Sequence, residues 1–184
     1  MSTSKHWIVG LYSSAPLAGK STMAELFEKR GYKRVRFSST LKSMLTSLLS
    51  GLGYTSGIIE SMIEGSLKEE NIPVLGHSPR YLMQTLGTEW GRLLVHPDVW
   101  TLHVDREITR AERPIVLEDM RFPNEYTLLR SREATLIRVE RPGLSGSHRS
   151  DGLLDDREFD IIVNNDSSLR DYNRVCKEML RRMM

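Results

Sequence analysis

Residues 14 to 21 of this chain read Ser14-Ala15-Pro16-Leu17-Ala18-Gly19-Lys20-Ser21. An apolar run, Trp7-Ile8-Val9-Gly10-Leu11-Tyr12, precedes them, and an amphipathic run, Ser21-Thr22-Met23-Ala24-Glu25-Leu26-Phe27, follows. The order is strand, loop, helix, with Gly-Lys-Ser at the turn into the helix. Backbone N–H groups of such a loop and of the helix N-terminus point at an anion, and the helix dipole favours negative charge there. Lys20 can reach the β- and γ-phosphates of a nucleoside triphosphate, and the Ser21 hydroxyl can hold Mg²⁺. The pattern G-x-x-x-x-G-K-[ST] has glycine where this chain has Ser14; serine closes the loop without strain provided its φ stays negative.

The rest of the chain has the punctuation of one α/β domain spanning residues 1–184. Apolar residues make up 39% and charged residues 27%, enough for a buried core in a soluble protein. The net charge of +2 demands no nucleic acid. The lone cysteine, Cys176, permits no internal disulfide and no zinc cluster, and is expected to pack as a small apolar residue. No leader-like or membrane-spanning run is present, so the cytoplasm is the expected compartment. Strands are expected at His6–Tyr12, Tyr32–Phe37, Pro114–Leu117, Ala134–Val139 and Phe159–Val163. Helices are expected at Gly19–Lys29, Leu41 to about Leu52, from Pro79, from Pro97, at Asn124–Ser131 and at Leu169–Met184. Alternation of strands and helices implies right-handed crossovers and a parallel sheet covered on both faces. Ligands in such sheets sit at the carboxyl ends of the strands.

The residues just after each strand are therefore the ones that carry chemistry. Asp119, at the tip of an apolar strand, can hold Mg²⁺ or its water shell, or can cap the next helix. Arg121 can pair with that carboxylate or reach a phosphate. In Gln84-Thr85-Leu86-Gly87-Thr88-Glu89-Trp90-Gly91-Arg92, two glycines interrupt a helical pattern. Either they let a ligand approach the backbone, with Arg80 and Arg92 on a monophosphate and Gln84 on a base edge, or two helices pack closely through glycine around a core Trp90. Arg138, Arg141 and Arg149 flank a loop at 141–156 that can act as a mobile lid over transferring phosphates. His77, His96, His103 and His148 are isolated, so no metal site of protein ligands alone is expected.

Taken together, several stretches resemble the deoxynucleoside monophosphate kinases of bacteriophages: Phe37-Ser38 with Leu41-Lys42, Leu82-Met83-Gln84-Thr85-Leu86-Gly87-Thr88-Glu89-Trp90-Gly91-Arg92, Pro97-Asp98-Val99-Trp100, Glu118-Asp119-Met120-Arg121-Phe122-Pro123-Asn124-Glu125, Arg138 to Gly143 and Asn164-Asn165-Asp166-Ser167-Ser168-Leu169. The resemblance covers about residues 7 to 180. It implies a P-loop kinase fold, three-layer αβα with a five-stranded parallel sheet, a helical acceptor-binding insert at 38–112, and transfer of the ATP γ-phosphate to a deoxynucleoside monophosphate with Mg²⁺. On that basis Ser14, Ala18, Gly19, Lys20, Ser21 and Thr22 would bind ATP phosphates, and Asn165 and Asp166 would lie near the adenine. Lys42, Arg80, Gln84, Gly87, Thr88, Arg92 and Arg141 would serve the acceptor. Lys20, Asp119 and Arg121 would carry the chemistry, with Ser21 and Asp119 on the metal. The implied partners are small-molecule nucleotides, with no membrane and no nucleic acid; a homodimer stays open, and a phage-encoded chain would act in the host cytoplasm. Two other readings compete: a P-loop kinase acting on a modified base within DNA, and a nucleotide-binding protein without transfer activity.

Overall fold

The computed structural model describes residues 7–144 and 152–183. It divides into two compact units, one of residues up to Phe37 together with Val104 onward, the other of Ser38–His103. Among the described residues no helix is long and apolar enough to cross a membrane.

The first unit holds a five-stranded, all-parallel sheet: β1 (Ile8–Tyr12), β2 (Lys33–Val35), β3 (Ile115–Leu117), β4 (Thr135–Glu140) and β5 (Ile161–Asn164), in the order β2-β3-β1-β4-β5. Every residue of β1 is buried, as a central strand covered on both faces requires. Its side chains alternate between two cores. Val9 and Leu11 join Met23, Ala24 and Phe27 of α1 (Lys20–Glu28) and Tyr172, Cys176 and Leu180 of α7 (Leu169–Met183). Ile8 and Tyr12 join Leu129 of α6 (Pro123–Ser131) and Val104 and Ile108, which lie on α5 (Val99–Thr109). The result is three layers, helix on sheet on helix. Gly31, at φ 89°, follows α1 where the sequence stops the helix. Cys176 is fully buried, as its apolar neighbours predict.

Boundaries moved little. β1 begins at Ile8 rather than His6, which lies outside the described residues, and β2 is three residues long; Tyr32, just before it, stands edge-on to Phe27, 4.9 Å between ring centroids. In the 141–156 loop, residues 145–151, with His148 and Arg149, lie outside the described residues. Leu154 is fully buried in the second core, so the loop returns to the domain before β5.

The second unit is helical: α2 (Ser39–Gly51), α3 (Ser56–Ile63), a 3₁₀ turn at Ser66–Glu69, α4 (Pro79–Thr85) and a segment at Leu86–Val95. Pro79 stands at the start of α4, and the Ser78 hydroxyl accepts the Tyr81 N–H at 3.3 Å. One expectation is corrected here. Leu86–Val95 continues α4 as a π-helix, and its end is closed by a bond from the His96 N–H to the Gly91 carbonyl at 2.9 Å, five residues back. A second correction concerns the tryptophans. Trp90 is 41% exposed, whereas Trp100 is 2% exposed and packs with Leu41, Leu45, Met62 and Met83.

Candidate active site

At the carboxyl end of β1 the chain enters the 13–19 loop. Ser14 does not have a positive φ, so serine is accommodated there without strain. Two other loop residues have positive φ: Leu17, at 61° and 83% exposed, and Gly19, at 113°. Gly19 is required twice over. A Cβ there would lie 2.8 Å from Asn165 Nδ2 and 2.9 Å from the Tyr172 ring, and the φ itself disfavours L side chains.

The loop's carbonyls are held from outside. The Ser13 hydroxyl donates to Ala15 O at 2.7 Å, Arg141 Nη1 to Leu17 O at 3.3 Å, Asn165 Nδ2 to Ala18 O at 2.8 Å, and the Tyr172 hydroxyl to Gly19 O at 3.1 Å. Burial, then the neighbouring Cys176, pushes the Tyr172 phenol well above the ordinary tyrosine range, so it remains a donor. The Lys20 ammonium donates to the Ser13 hydroxyl, which keeps it folded back over the loop. Ser21 and Thr22 begin α1, with Ser21 exposed. Asn165 is buried and Asp166 exposed.

Asp119 and its neighbours lie at the end of β3. Asp119 Oδ1 accepts the Phe37 N–H at 2.9 Å, fixing the carboxylate against the end of β2. The adjacent Glu118 is buried and takes both Arg34 and Arg36. Burial opposes its ionisation, but the two guanidinium hydrogen bonds outweigh that and hold it below the usual glutamate range. Arg121 and Phe122 both donate their N–H groups to Glu125 Oε2, at 2.7 and 3.0 Å. Glu125, itself buried, thus shapes the turn that carries Arg121. Its place at the third helical position is a capping signal that a reading for chemistry passed over. Arg138 is structural: it donates to Asp155 O at 2.9 Å, pairs with Glu140 at 2.9 Å, and lies over the Tyr12 ring at 5.9 Å. Tyr12, its phenol pushed upward by burial and by Asp155, donates to Asp155 Oδ1 at 2.8 Å.

Within the helical unit, Lys42 Nζ pairs with Glu64 at 2.7 Å and Arg80 pairs with Glu69. Lys68 was not singled out from the sequence. Burial, then the charges of Lys42 and Arg80, lowers its ammonium below the usual lysine range. Arg92 Nη1 reaches Gly87 O at 3.5 Å, and Trp100 Nε1 donates to the same carbonyl at 2.8 Å. Gly91 is explained by packing: a Cβ there would meet the Trp100 ring at 2.5 Å. Gly87 is buried but roomy, with Leu41 Cδ2 at 3.6 Å. Gln84 and Thr88 are half-buried.

Comparison with known proteins converges on one family. Residues 20–175 match the family model described as deoxynucleotide monophosphate kinase. The deoxynucleoside-5'-monophosphate kinase of Escherichia phage T5 is 42% identical over 64 residues, 34% of this chain and 26% of the phage protein, so the match spans about a quarter of that relative. A protein of Acanthamoeba polyphaga mimivirus, provisionally named a deoxynucleotide monophosphate kinase, is 24% identical over 174 residues, 84% of this chain and 86% of its own. In fold, the chain is similar to the dephospho-CoA kinase from Campylobacter jejuni, with a TM-score of 0.53, 17% identity and 97% of each chain covered. The parallel sheet and the loop that opens α1 are those of the P-loop kinase fold, and the chain belongs to the deoxynucleotide monophosphate kinase family.

Proposed function

We propose that this chain transfers the γ-phosphate of ATP to a deoxynucleoside monophosphate, giving the diphosphate and ADP. The observation that carries the reading is the 14–21 loop at the carboxyl end of β1, with Gly19 left-handed and Lys20 beside it. Ala18, Gly19, Lys20, Ser21 and Thr22 offer N–H groups to the phosphates, and Ser14 closes the loop. Lys20, released from Ser13, neutralises the transferring group. The Ser21 hydroxyl and the Asp119 carboxylate are hard oxygen donors of the kind Mg²⁺ takes beside phosphate oxygens, and among the described residues no three-ligand His, Cys, Asp or Glu cluster competes for that role. A Mg²⁺ ion held there would supply positive charge to offset that of the phosphates. Arg121, held by Glu125, serves the phosphates between the two nucleotides.

For the acceptor, Arg80, Lys42 and Lys68 meet its phosphate by exchanging Glu64 and Glu69 for it. Gln84, Gly87, Thr88 and Arg92 line the acceptor side, and Arg141 serves the transferring end. The reaction belongs to the cytoplasm, that of the host for a phage-encoded chain.

A coupled assay for ADP release against the four deoxynucleoside monophosphates tests the reading. Turnover on at least one is expected, and Lys20→Ala should abolish it while the melting temperature holds, because Lys20 is the first residue of α1, only partly buried, and alanine suits a helix. A Lys20→Ala variant with wild-type turnover would remove the reading.

A further inference from the structure

The phosphate loop is held along one limb by side chains from distant parts of the chain. Leu17 O, Ala18 O and Gly19 O accept, in order, from Arg141 just beyond β4, Asn165 just beyond β5, and Tyr172 on α7. A trans peptide is planar, and its C=O and the following N–H point in opposite directions. A side chain that fixes the carbonyl of residue i therefore aims the N–H of residue i+1 the other way. Fixing the carbonyls of 17 and 18 aims the N–H groups of Ala18 and Gly19 away from the braces; Gly19 O also accepts the Met23 N–H of α1 at 3.1 Å, so Tyr172 reinforces the direction that the helix gives the Lys20 N–H. Successive backbone N–H groups in such a turn can make an anion-binding concavity. The Ser13 bond to Ala15 O aims no such donor, because the next residue is Pro16.

We infer that Asn165 and Tyr172 are positioning residues for the triphosphate: they orient the loop's amides and touch no part of the nucleotide. This rests on the phosphate-loop reading above, and it gives Asn165 a role different from a contact to the adenine. Several observations agree. Asn165 is buried with its amide nitrogen committed to Ala18 O at 2.8 Å. Tyr172 is 1% exposed, so its ring is out of reach of a ligand. A Cβ on Gly19 would strike both, at 2.8 and 2.9 Å, so loop and braces are fitted to each other. The left-handed Leu17, a non-glycine residue, is the kind of conformation that persists when its surroundings hold it.

Binding of inorganic tripolyphosphate and of ATP by titration calorimetry, on wild type, Tyr172→Phe and Asn165→Ala, tests this. Tyr172→Phe keeps the ring and removes one hydroxyl. It is expected to weaken tripolyphosphate and ATP alike by about threefold to tenfold, the effect of one hydrogen bond, and Asn165→Ala by at least as much. KM for the monophosphate should stay within twofold. Because tripolyphosphate has no base, a loss for ATP alone in Asn165→Ala would assign that residue to the adenine and overturn the inference. Lowered melting temperatures with unchanged affinities in both variants would also overturn it. A wild-type protein that binds neither ligand would instead remove the phosphate-loop reading, and this inference with it. If Asn165→Ala fails to fold, Tyr172→Phe decides alone.

Discussion

Adding a single methyl group at Gly91 puts the packing of the helical unit to a direct test. In Gly91→Ala the new Cβ would sit 2.5 Å from Trp100 Cζ2, 2.8 Å from Cε2 and 2.9 Å from Nε1. Carbon atoms rest at about 3.5–4.0 Å, so the flat ring must retreat by roughly 1 Å. Trp100 has nowhere to go, being 2% exposed among Leu41, Leu45 and Met83. It is also tethered by its Nε1 bond to Gly87 O, 2.8 Å long, which a shift of that size stretches past useful length. Overpacking costs about 1–3 kcal/mol, and leaving the buried indole N–H unpaired costs a further ~1–3 kcal/mol. Alanine's better helix propensity returns up to about 1 kcal/mol. The net loss should be about 1–6 kcal/mol, or a fall in Tm of roughly 2–24 °C for a chain of this size. Gly87→Ala, four residues away, is the control: its Cβ would meet Leu41 Cδ2 at 3.6 Å, an ordinary contact, so stability should change by less than about 1 kcal/mol. Urea unfolding followed by tryptophan fluorescence measures both. Trp100→Phe combined with Gly91→Ala should lose less than the two singles summed, because the smaller ring relieves the overlap. If Gly91→Ala is as stable as wild type while its KM for the monophosphate rises, the glycine is there for a ligand and the packing account is wrong.

Asp119→Asn should lower turnover about a hundredfold or more with little change in Tm, because an amide oxygen still accepts the Phe37 N–H while the charge that serves Mg²⁺ is gone; early melting with full activity of the folded fraction would make Asp119 a structural cap. Arg92→Ala should raise KM for the monophosphate and leave that for ATP nearly unchanged, with Arg92→Lys recovering only part, as expected of a two-pronged phosphate contact; equal effects on both constants in steady-state kinetics would end that assignment. Glu118 has its folded pKa depressed by Arg34 and Arg36, so its stabilising contribution is complete above about pH 5 and is lost as pH falls through the folded value. Glu118→Gln should therefore melt earlier at pH 7 and show a flatter loss of stability as the pH falls below about 5, and an unchanged acid slope would place the acid sensitivity elsewhere.

The alternation of apolar strands with amphipathic helices carried most of the fold. Each of the five strands is within a few residues of its expected place; β1 and β3 are buried throughout and leave the continuous apolar runs that short-range pattern detects, whereas the edge strands β2 and β5 are partly exposed. The strand order is not local and could not be read that way. Nor could the π-helical form of Leu86–Val95: whether an N–H reaches the carbonyl four or five residues back is not written in the apolar spacing of so short a segment. The exchange of Trp90 for Trp100 in the core has the same origin, since the space that admits Trp100 is made by Gly91 from another helix. At the site, Lys20 and Gly19 were legible because their motif is contiguous. Tyr172 and Lys68 were not, because their roles depend on neighbours that the fold brings near: Gly19 for one, Lys42 and Arg80 for the other.

The bracing of the phosphate loop also has a consequence in time. Ala18 is 147 residues from Asn165, and Gly19 is 153 residues from Tyr172. Contacts that distant close late, because the intervening chain must be ordered first. On a ribosome adding about 5–20 residues per second, roughly 7–30 s separate the emergence of the loop from that of its braces. Strand β1 and helix α1 can be made and paired well before the loop between them is held in its anion-binding shape. In refolding, triphosphate binding should accordingly trail the recovery of helical signal, and its appearance marks the moment when β5 and α7 have reached the rest of the sheet.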